Sequence, residues 1–335
     1  PVLELNVLAA GSLRCSGNVK APSLLNAMMC LLDIVFNYIF IFILDMGTAG
    51  AAYGTFLAYT ITVVMMLYAL VKKDRLLRFS LDKATSTCTR WVERYVPRHD
   101  TLSKALRIGF PISLERCVIC GAQIAVTGII APLGQVAIAA NTFGINIESL
   151  CYMPGFGISE AATTLVGQSM GAKRKDLMRS FAWISVSVGM AIMAIMGVLM
   201  AVFAPEMMSL ITNDKEVVVL GTEILRIEAW AEPMFAASIV AYGVFVGSGK
   251  TLVPCLMNLG SIWFVRISLS LLLAPTMGLH GVWIAMCIEL CWRGSAFLWR
   301  LSQRGWSQIQ GARVIPEVAL EEDEESLAMT PPFTS

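Results

Sequence analysis

Long apolar stretches alternate with short polar segments along most of this 335-residue chain. A helix needs about 20 apolar residues to cross the hydrocarbon core of a bilayer. Val2–Leu13 is too short for this, but eight further stretches are long enough. The pattern therefore predicts an all-α polytopic membrane protein. The predicted spans are Pro22–Leu44, Thr48–Val71, Ile108–Ala131, Val136–Val166, Phe181–Ala204, Val217–Val246, Val253–Leu273 and Gly278–Leu298.

The composition agrees with this class. Hydrophobic residues make up 56% of the chain and charged residues only 15%, whereas a soluble domain has about 25% charged residues. The nine cysteines are interpreted as small packing residues that form neither a disulfide framework nor a metal site. We therefore expect no cofactor, and no metal beyond a Na⁺ ion.

Basic residues are concentrated in alternate connecting segments. Ten lysines and arginines lie between Lys72 and Arg107, and others follow at Lys173–Lys175, Lys250 and Arg300. The segments between them contain almost none. Because cytoplasmic loops of membrane proteins carry the excess of Lys and Arg, the basic segments and the C-terminus are predicted to be cytoplasmic. The membrane is then the plasma membrane or an inner cell membrane.

A sequence repeat relates the first two spans to the last two. The repeated patterns are Ser16-Gly17-x4-Pro22-x3-Asn26 with Ser248-Gly249-x4-Pro254-x3-Asn258, and Gly47-x-x-Gly50 with Gly278-x-x-Gly281. Both copies start on the cytoplasmic side, so the repeat is parallel, as in transporters whose substrate site lies between two halves. The second copy begins six spans after the first, which predicts a twelve-span architecture of which this chain holds the second bundle and the last two spans of the first.

The stretch 146–175 carries the most specific motif. It contains Pro154-Gly155-Phe156-Gly157, then Ala-Ala-Thr-Thr-Leu-Val-Gly-Gln at 161–168, then Gly171-Ala172. This wording resembles the eighth helix, and the loop after it, of the multidrug and toxic compound extrusion (MATE) transporters. We expect a break in the helix at Pro154. Leu13-Arg14-x-Ser16-Gly17-Asn18, Arg107-x-Gly109-Phe110-Pro111-Ile112 and Gly278-Leu279-x-Gly281-Val282-Trp283 resemble other family segments.

The resemblance implies a two-bundle MATE-like fold, with a complete C-terminal six-helix bundle and only the last two helices of the N-terminal bundle. It also implies a secondary antiporter, not an enzyme, that exchanges Na⁺ or H⁺ for small organic compounds, including cations. Many members carry a seventh-helix carboxylate at the position of Ile119, one turn deeper than Glu115. Two alternatives remain open: a flippase for lipid-linked glycans, and a truncated membrane protein that does not transport.

Carboxylates within predicted spans are the candidates for ion coupling, because a charged side chain at the centre of a membrane helix costs about 2.5–3.5 kcal/mol on insertion scales. Glu228 and Glu232 lie one turn apart, just before Pro233. The proline frees backbone carbonyls, and neighbouring carboxylates favour proton uptake. Glu115 is either a third coupling group or a surface charge near the cytoplasmic end of its span.

Other intramembrane polar residues are assigned supporting roles. Glu148, Pro154, Asp33 and Asn37 are predicted to line the substrate cavity between the two halves. We also expect Asp33 and Asn37 to form hydrogen bonds between helices. Glu289 and Arg293 are four residues apart, so they are predicted to form a structural ion pair. Arg266 of the preceding span is predicted to join that pair.

The predicted organisation has four parts: residues 1–71 as the remnant of an N-terminal bundle, 72–105 as a basic cytoplasmic linker, 106–305 as a six-helix bundle and 306–335 as a disordered acidic tail. The expected partners are organic substrates and the bilayer. Nucleic acid is not expected. Nucleotide is not expected either, because Gly247-Ser248-Gly249-Lys250-Thr251 lacks the first glycine and the preceding strand of a P-loop.

Overall fold

Helices account for all regular secondary structure in the described part of the chain. The computed structural model describes residues 2–15, 17–70 and 99–307. Most of the predicted linker and nearly all of the predicted tail lie outside these ranges. The helices are α1 (Val2–Cys15), α2 (Lys20–Tyr38), α3 (Gly47–Tyr68), α4 (His99–Ile130), α5 (Gln135–Gly171), α6 (Lys175–Ile211), α7 (Lys215–Glu228), α8 (Glu232–Gly247), α9 (Leu252–Gly260), α10 (Ser268–Met277) and α11 (Leu279–Ser302).

Two π-helical segments extend these elements. Ile39–Ile43 continues α2, and Ser261–Ile267 joins α9 to α10. Short 3₁₀ turns lie at Ala131–Leu133 and Arg304–Ser307. The chain divides into two compact units, Pro1–His99 and Asp100–Ser335.

The described helices confirm a multi-pass membrane protein. Six are long and apolar enough to span a bilayer, and a seventh span is obtained if the bent pair of α7 and α8 counts as one. The remaining predicted span, Val136–Val166, lies within the 37-residue helix α5. That helix is not one of the apolar six, since polar residues such as Asn146 and Glu148 interrupt its apolar sequence.

In the first unit, α3 packs against both α1 and α2. Its core is formed by six side chains from α1 and the end of the α3 span: Ala9, Ala10, Leu13, Met66, Ala69 and Leu70. A polar contact links the other pair of helices, as the Nδ2 of Asn6 on α1 donates to the Oδ1 of Asn26 on α2 at 3.4 Å.

The two repeat copies share the same backbone turns, which confirms the repeat structurally. Gly17 and Gly249 both have positive φ, of 91° and 72°. In the first copy the amide of Asn18 donates to Leu13 O at 3.0 Å. In the second, the amide of Lys250 donates to Phe245 O at 3.1 Å. These six-residue bonds close a Schellman-type helix end.

Two large apolar clusters, with a smaller one of Met193, Ala236 and Ile239, form the core of the second unit. One surrounds Trp283, whose indole Nε1 donates to Asn141 Oδ1 at 3.1 Å. The other contains Phe245, Phe297 and Trp306. Trp306 is 2% exposed and its indole donates to Leu301 O at 2.8 Å. The predicted tail boundary at 306 is therefore wrong for this residue, because an indole that fills a core cavity gains more from burial than from solvation.

The predicted break in the eighth family helix is also wrong. Helix α5 continues through Pro154 without interruption. A proline removes only one backbone hydrogen bond and its ring clash can be absorbed, so neighbouring helices in a membrane bundle can keep such a helix continuous. Here α6 and α8 pack along α5. The break occurs instead between α7 and α8, where the axes differ by 60°.

Candidate functional site

The bend between α7 and α8 places two carboxylates inside the second unit. Glu228 is the last residue of α7 and Glu232 the first of α8, and both are 0% exposed. All four carboxylate oxygens lack a hydrogen-bond partner within the described residues. Buried polar groups are normally paired, so four unpaired oxygens at one bend indicate a site that takes up a ligand or a proton.

Two glycines let neighbouring helices approach this bend closely. A Cβ on Gly197 of α6 would lie 2.8 Å from Ala229 O and 3.1 Å from the Cβ of Glu232. A Cβ on Gly294 of α11 would overlap the backbone carbonyl of Met234. Glycine at these positions is therefore required by the close approach of backbone to backbone.

We expect Gly197→Ala to destabilise the second unit by about 1–3 kcal/mol, as overpacking usually does, because the bend would have to move away from α6. The measurement is the unfolding midpoint of the purified protein in detergent. Gly128→Ala is the matched control, since a Cβ on this exposed helical glycine of α4 meets nothing within 4 Å. Equal midpoints for the two variants would contradict the close packing at Gly197.

An ion pair lies on the neighbouring helix α11, as predicted. The Nε of Arg293 is 3.3 Å from Oε1 of the fully buried Glu289. This contact is an ion pair without hydrogen-bond geometry, because Nε of Arg293 has no hydrogen-bond partner within the described part of the chain. The other carboxylate oxygen of Glu289, Oε2, has no partner there either. Ser261 instead donates to Oε1 of Glu289 at 2.6 Å, and the guanidinium of Arg293 lies 5.4 Å from the centre of the Phe235 ring.

Arg266 does not join this pair by a direct contact. Its Nη2 donates to the thioether sulfur of Met286, while its buried Nε has no partner within the described residues. Its guanidinium does exert an electrostatic effect on Glu148 and Glu228. A thioether is a weak acceptor, so the described residues give this arginine no strong hydrogen bond.

Glu148 on α5 completes the group of buried charges. It is 5% exposed and interacts electrostatically with Arg266 and Arg293, and also with Glu228 and Glu232. The structure thus brings six predicted residues into one region, named here the acidic cluster. Its members are Glu148, Glu228, Glu232, Glu289, Arg266 and Arg293.

Glu115 has an environment of its own. It is 3% exposed, so it is not a surface charge. Its Oε2 accepts a hydrogen bond from the hydroxyl of Tyr242, and its Oε1 accepts one from the Nδ2 of Asn258, both at 2.6 Å. Both oxygens are thus satisfied by helices α8 and α9. Of the buried carboxylates, Glu115 is therefore the better paired.

The remaining predicted site residues are placed as follows. Pro154 lies inside α5 and is partly exposed. Asp33 and Asn37 lie in α2, in the first unit, and each has a buried Oδ1 without a partner among the described residues. Asn37 Oδ1 lies against Gly54 of α3. The hydrogen bonds between helices that we expected from Asp33 and Asn37 are therefore not formed by these oxygens in the described structure.

Sequence reasoning missed the partners of these carboxylates. Tyr242, Asn258 and Ser261 were not singled out, although Asn258 is the last residue of the second repeat pattern. The spacing Cys117-x-x-Cys120 suggests metal ligands, but both thiols are exposed on α4. Among the described residues no three His, Cys, Asp or Glu side chains converge on a metal position.

Comparison with known proteins gives consistent matches. The MatE family profile matches residues 111–272. Probable multidrug resistance proteins NorM are similar, with 26% identity over 84% of this chain in Thermotoga maritima and 29% over 81% in Idiomarina loihiensis. These alignments cover 60% and 59% of the relatives, so the chain spans about three fifths of their length.

Solved structures show the same fold. An outward-facing multidrug resistance MATE family transporter aligns with a TM-score of 0.80 at 24% identity, over 89% of this chain and 66% of that protein. A MATE protein in the straight conformation also aligns with a TM-score of 0.80, at 23% identity, over 89% and 66% of the two chains.

Proposed function

We propose that the chain is a member of the multidrug and toxic compound extrusion (MATE) family, whose profile matches residues 111–272, and that it serves cation-coupled antiport of small organic compounds out of the cell. The observation that carries this proposal is the acidic cluster at the α7–α8 bend. Carboxylates inside a membrane protein are costly and typically mark ion or proton pathways. In this proposal the protein acts as a transporter and not as an enzyme, which its similarity to probable multidrug resistance proteins supports.

The coupling ion is a proton or Na⁺ in this proposal. Four unpaired oxygens at Glu228 and Glu232 suit protonation, because a protonated carboxyl gains a donor and loses its charge. Na⁺ would instead need oxygen ligands beyond these four. Glu115, with both oxygens satisfied, would serve as a secondary coupling group.

The net negative charge of the acidic cluster supports organic compounds, including cations, as substrates. It holds four carboxylates and two guanidinium groups, Arg266 and Arg293. A net negative site attracts cations and repels the phosphates of a lipid-linked glycan. The acidic cluster therefore argues against the flippase alternative.

The test is accumulation of a fluorescent organic cation in an efflux-deficient bacterial host that expresses the protein. We expect lower accumulation than in the empty-vector host, and we expect the difference to vanish when the H⁺ and Na⁺ gradients are collapsed. Accumulation equal to that of the empty-vector host, with the protein present in the membrane, would favour the non-transporting alternative.

We propose that the basic segments and the C-terminus face the cytoplasm. The ten cations between Lys72 and Arg107 support this orientation. A membrane-impermeant thiol reagent added to intact cells is expected not to label Cys88, nor a cysteine introduced at His99. Permeabilised cells serve as the positive control for reactivity. Labelling of Cys88 in intact cells would overturn the orientation.

A further inference from the structure

The part of α4 between residues 99 and 121, called here the first part of α4, is held mainly by a charged side chain. Among its described residues no apolar side chain is buried, whereas Glu115 is 3% exposed. Phe110 and Leu114, which precede it, are 68% and 49% exposed. Helices in a membrane bundle are held by close packing and by hydrogen bonds between them. With so little close packing here, the hydrogen bonds of Glu115 are what attach the first part of α4.

The remainder of α4 is attached differently. Val126 and Ile130 are 6% and 1% exposed and belong to the apolar cluster around Trp283. Packing therefore fixes the C-terminal end of the helix. The helix thus has an apolar anchor at one end and a polar one at Glu115.

Helices α8 and α9 supply the polar contacts. The hydroxyl of Tyr242 on α8 donates to Oε2 of Glu115, and Nδ2 of Asn258 on α9 donates to Oε1, both at 2.6 Å. The thiol of Cys255 on α9 donates to the backbone carbonyl of Pro111, one turn before Glu115, at 3.4 Å. Hydrogen bonds to an ionised carboxylate are about twice as strong as neutral ones. The charge on Glu115 therefore sets how firmly the first part of α4 is held.

A proton on Glu115 changes these contacts, because it turns one accepting oxygen into a donor. The amide Nδ2 of Asn258 can only donate, so the proton is accommodated at Oε2, where the hydroxyl of Tyr242 can turn and accept. Both contacts then join neutral groups. They lose the strengthening that the carboxylate charge provides.

The sequence repeat gives Asn258 a counterpart in the first unit. Asn26 is the matching residue of the first copy, and it also bonds to another helix, accepting from Nδ2 of Asn6 at 3.4 Å. That bond joins two amides, which do not titrate. A bond between helices at the repeated asparagine is thus common to both copies, and it meets a titratable group at Glu115.

We infer that Glu115, Tyr242 and Asn258 form a clasp that fastens the first part of α4 to α8 and α9, and that uptake of a proton by Glu115 loosens this clasp. The loosened part moves away from α9 about the apolar anchor at the other end of α4. The inference concerns the packing of the second unit and does not rest on the proposed antiport.

Three other charged or titratable groups interact with the clasp. The thiol of Cys255 on α9 lies against the first part of α4. Arg293 on α11 and Arg116 on α4 itself act on Glu115 and Tyr242 electrostatically. Both are cations, so they attract the ionised carboxylate and act in favour of the closed clasp.

Protection of Cys255 in the purified full chain in detergent measures the clasp. This thiol is 3% exposed and lies against Pro111, so a thiol reagent should reach it only when α4 moves away. Labelling is quantified by mass spectrometry, with Cys151 of α5, which is 1% exposed, as the internal reference. Glu115→Leu should raise the labelling of Cys255 relative to Cys151 at least about tenfold, because hydrogen bonds to a charged group contribute that factor or more.

Gln123→Leu is the matched control, since it also places leucine at a polar position of α4, but at an exposed one. It should leave the protection of Cys255 at the wild-type level. Tyr242→Phe removes one hydroxyl and should raise the labelling about fivefold, which keeps the inference testable if Glu115→Leu does not fold. Wild-type protection of Cys255 in Glu115→Leu or in Tyr242→Phe would overturn the clasp.

Lowering the pH tests the proton dependence. The labelling ratio of Cys255 to Cys151 should rise in the wild type as the pH falls, because protonated Glu115 holds α4 less firmly. Using the ratio corrects for the falling thiolate fraction of both cysteines. Glu115→Gln is neutral at every pH, so its ratio should be raised and independent of pH. A wild-type ratio that does not change with pH, or a change that persists in Glu115→Gln, would show that Glu115 is not the proton-sensitive group.

Discussion

Replacing Glu232 with glutamine is expected to reduce gradient-driven efflux of an organic cation at least about tenfold. A tenfold reduction corresponds to a loss of about 1.4 kcal/mol of coupling free energy. The carboxylate is fully buried at the bend and both its oxygens are unpaired within the described residues. Glutamine keeps its shape but can neither ionise nor release a proton. The measurement is the efflux rate in energised cells, normalised to the protein present in the membrane.

Glu206→Gln is the matched control for this result. Glu206 lies on α6 and is exposed, so its neutralisation should leave efflux close to wild type. Efflux that persists in Glu232→Gln with unchanged dependence on the H⁺ or Na⁺ gradient would remove Glu232 from the coupling site. Glu228 and Glu115 would then be the remaining candidates within the described chain.

Arg293→Met is expected to destabilise the protein by about 3–5 kcal/mol, the usual effect of removing one partner of a buried ion pair. The variant leaves Glu289 fully buried, and within the described residues only the hydroxyl of Ser261 donates to it. It also removes the cation–ring contact with Phe235. Unfolding of the detergent-solubilised protein by heat or denaturant measures the loss.

The double variant Glu289→Met with Arg293→Met should recover most of that stability, because replacing both charges by apolar groups of similar volume is often neutral or stabilising. This recovery separates the cost of an unpaired charge from the cost of lost packing. If the double variant is as unstable as Arg293→Met, the ion pair contributes little and the packing of Arg293 is what matters.

The hydrophobic pattern was sufficient for the fold class because lipid leaves the backbone few choices. Every backbone group in the hydrocarbon region must bond within its own segment, so apolar stretches of span length become helices. The repeat was equally readable, since Gly17 and Gly249 occupy turns with positive φ that favour glycine. A residue that one backbone conformation requires, such as glycine at positive φ, can therefore be recognised from the sequence.

The effect of a proline on its helix could not be predicted from the local sequence. Pro154 predicted a break and α5 has none, whereas the chain bends by 60° just before Pro233. The two prolines differ in their surroundings. Gly197 of α6 and Gly294 of α11 admit the bent backbone beside Pro233, while α6 and α8 pack along a continuous α5. The packing of neighbouring helices therefore decides which proline lies beside a bend.

The sequence by itself determined that this is an all-α membrane protein with a parallel repeat and costly intramembrane carboxylates, because hydropathy, glycine turns and charge are properties of single residues. Only the tertiary structure decided how those carboxylates are used. It paired Glu115 with Tyr242 and Asn258 from distant helices, and left Glu228 and Glu232 unpaired in the described chain. Hydrogen-bond partners 127 and 143 residues away cannot be deduced from spacing, since they depend on how whole helices pack.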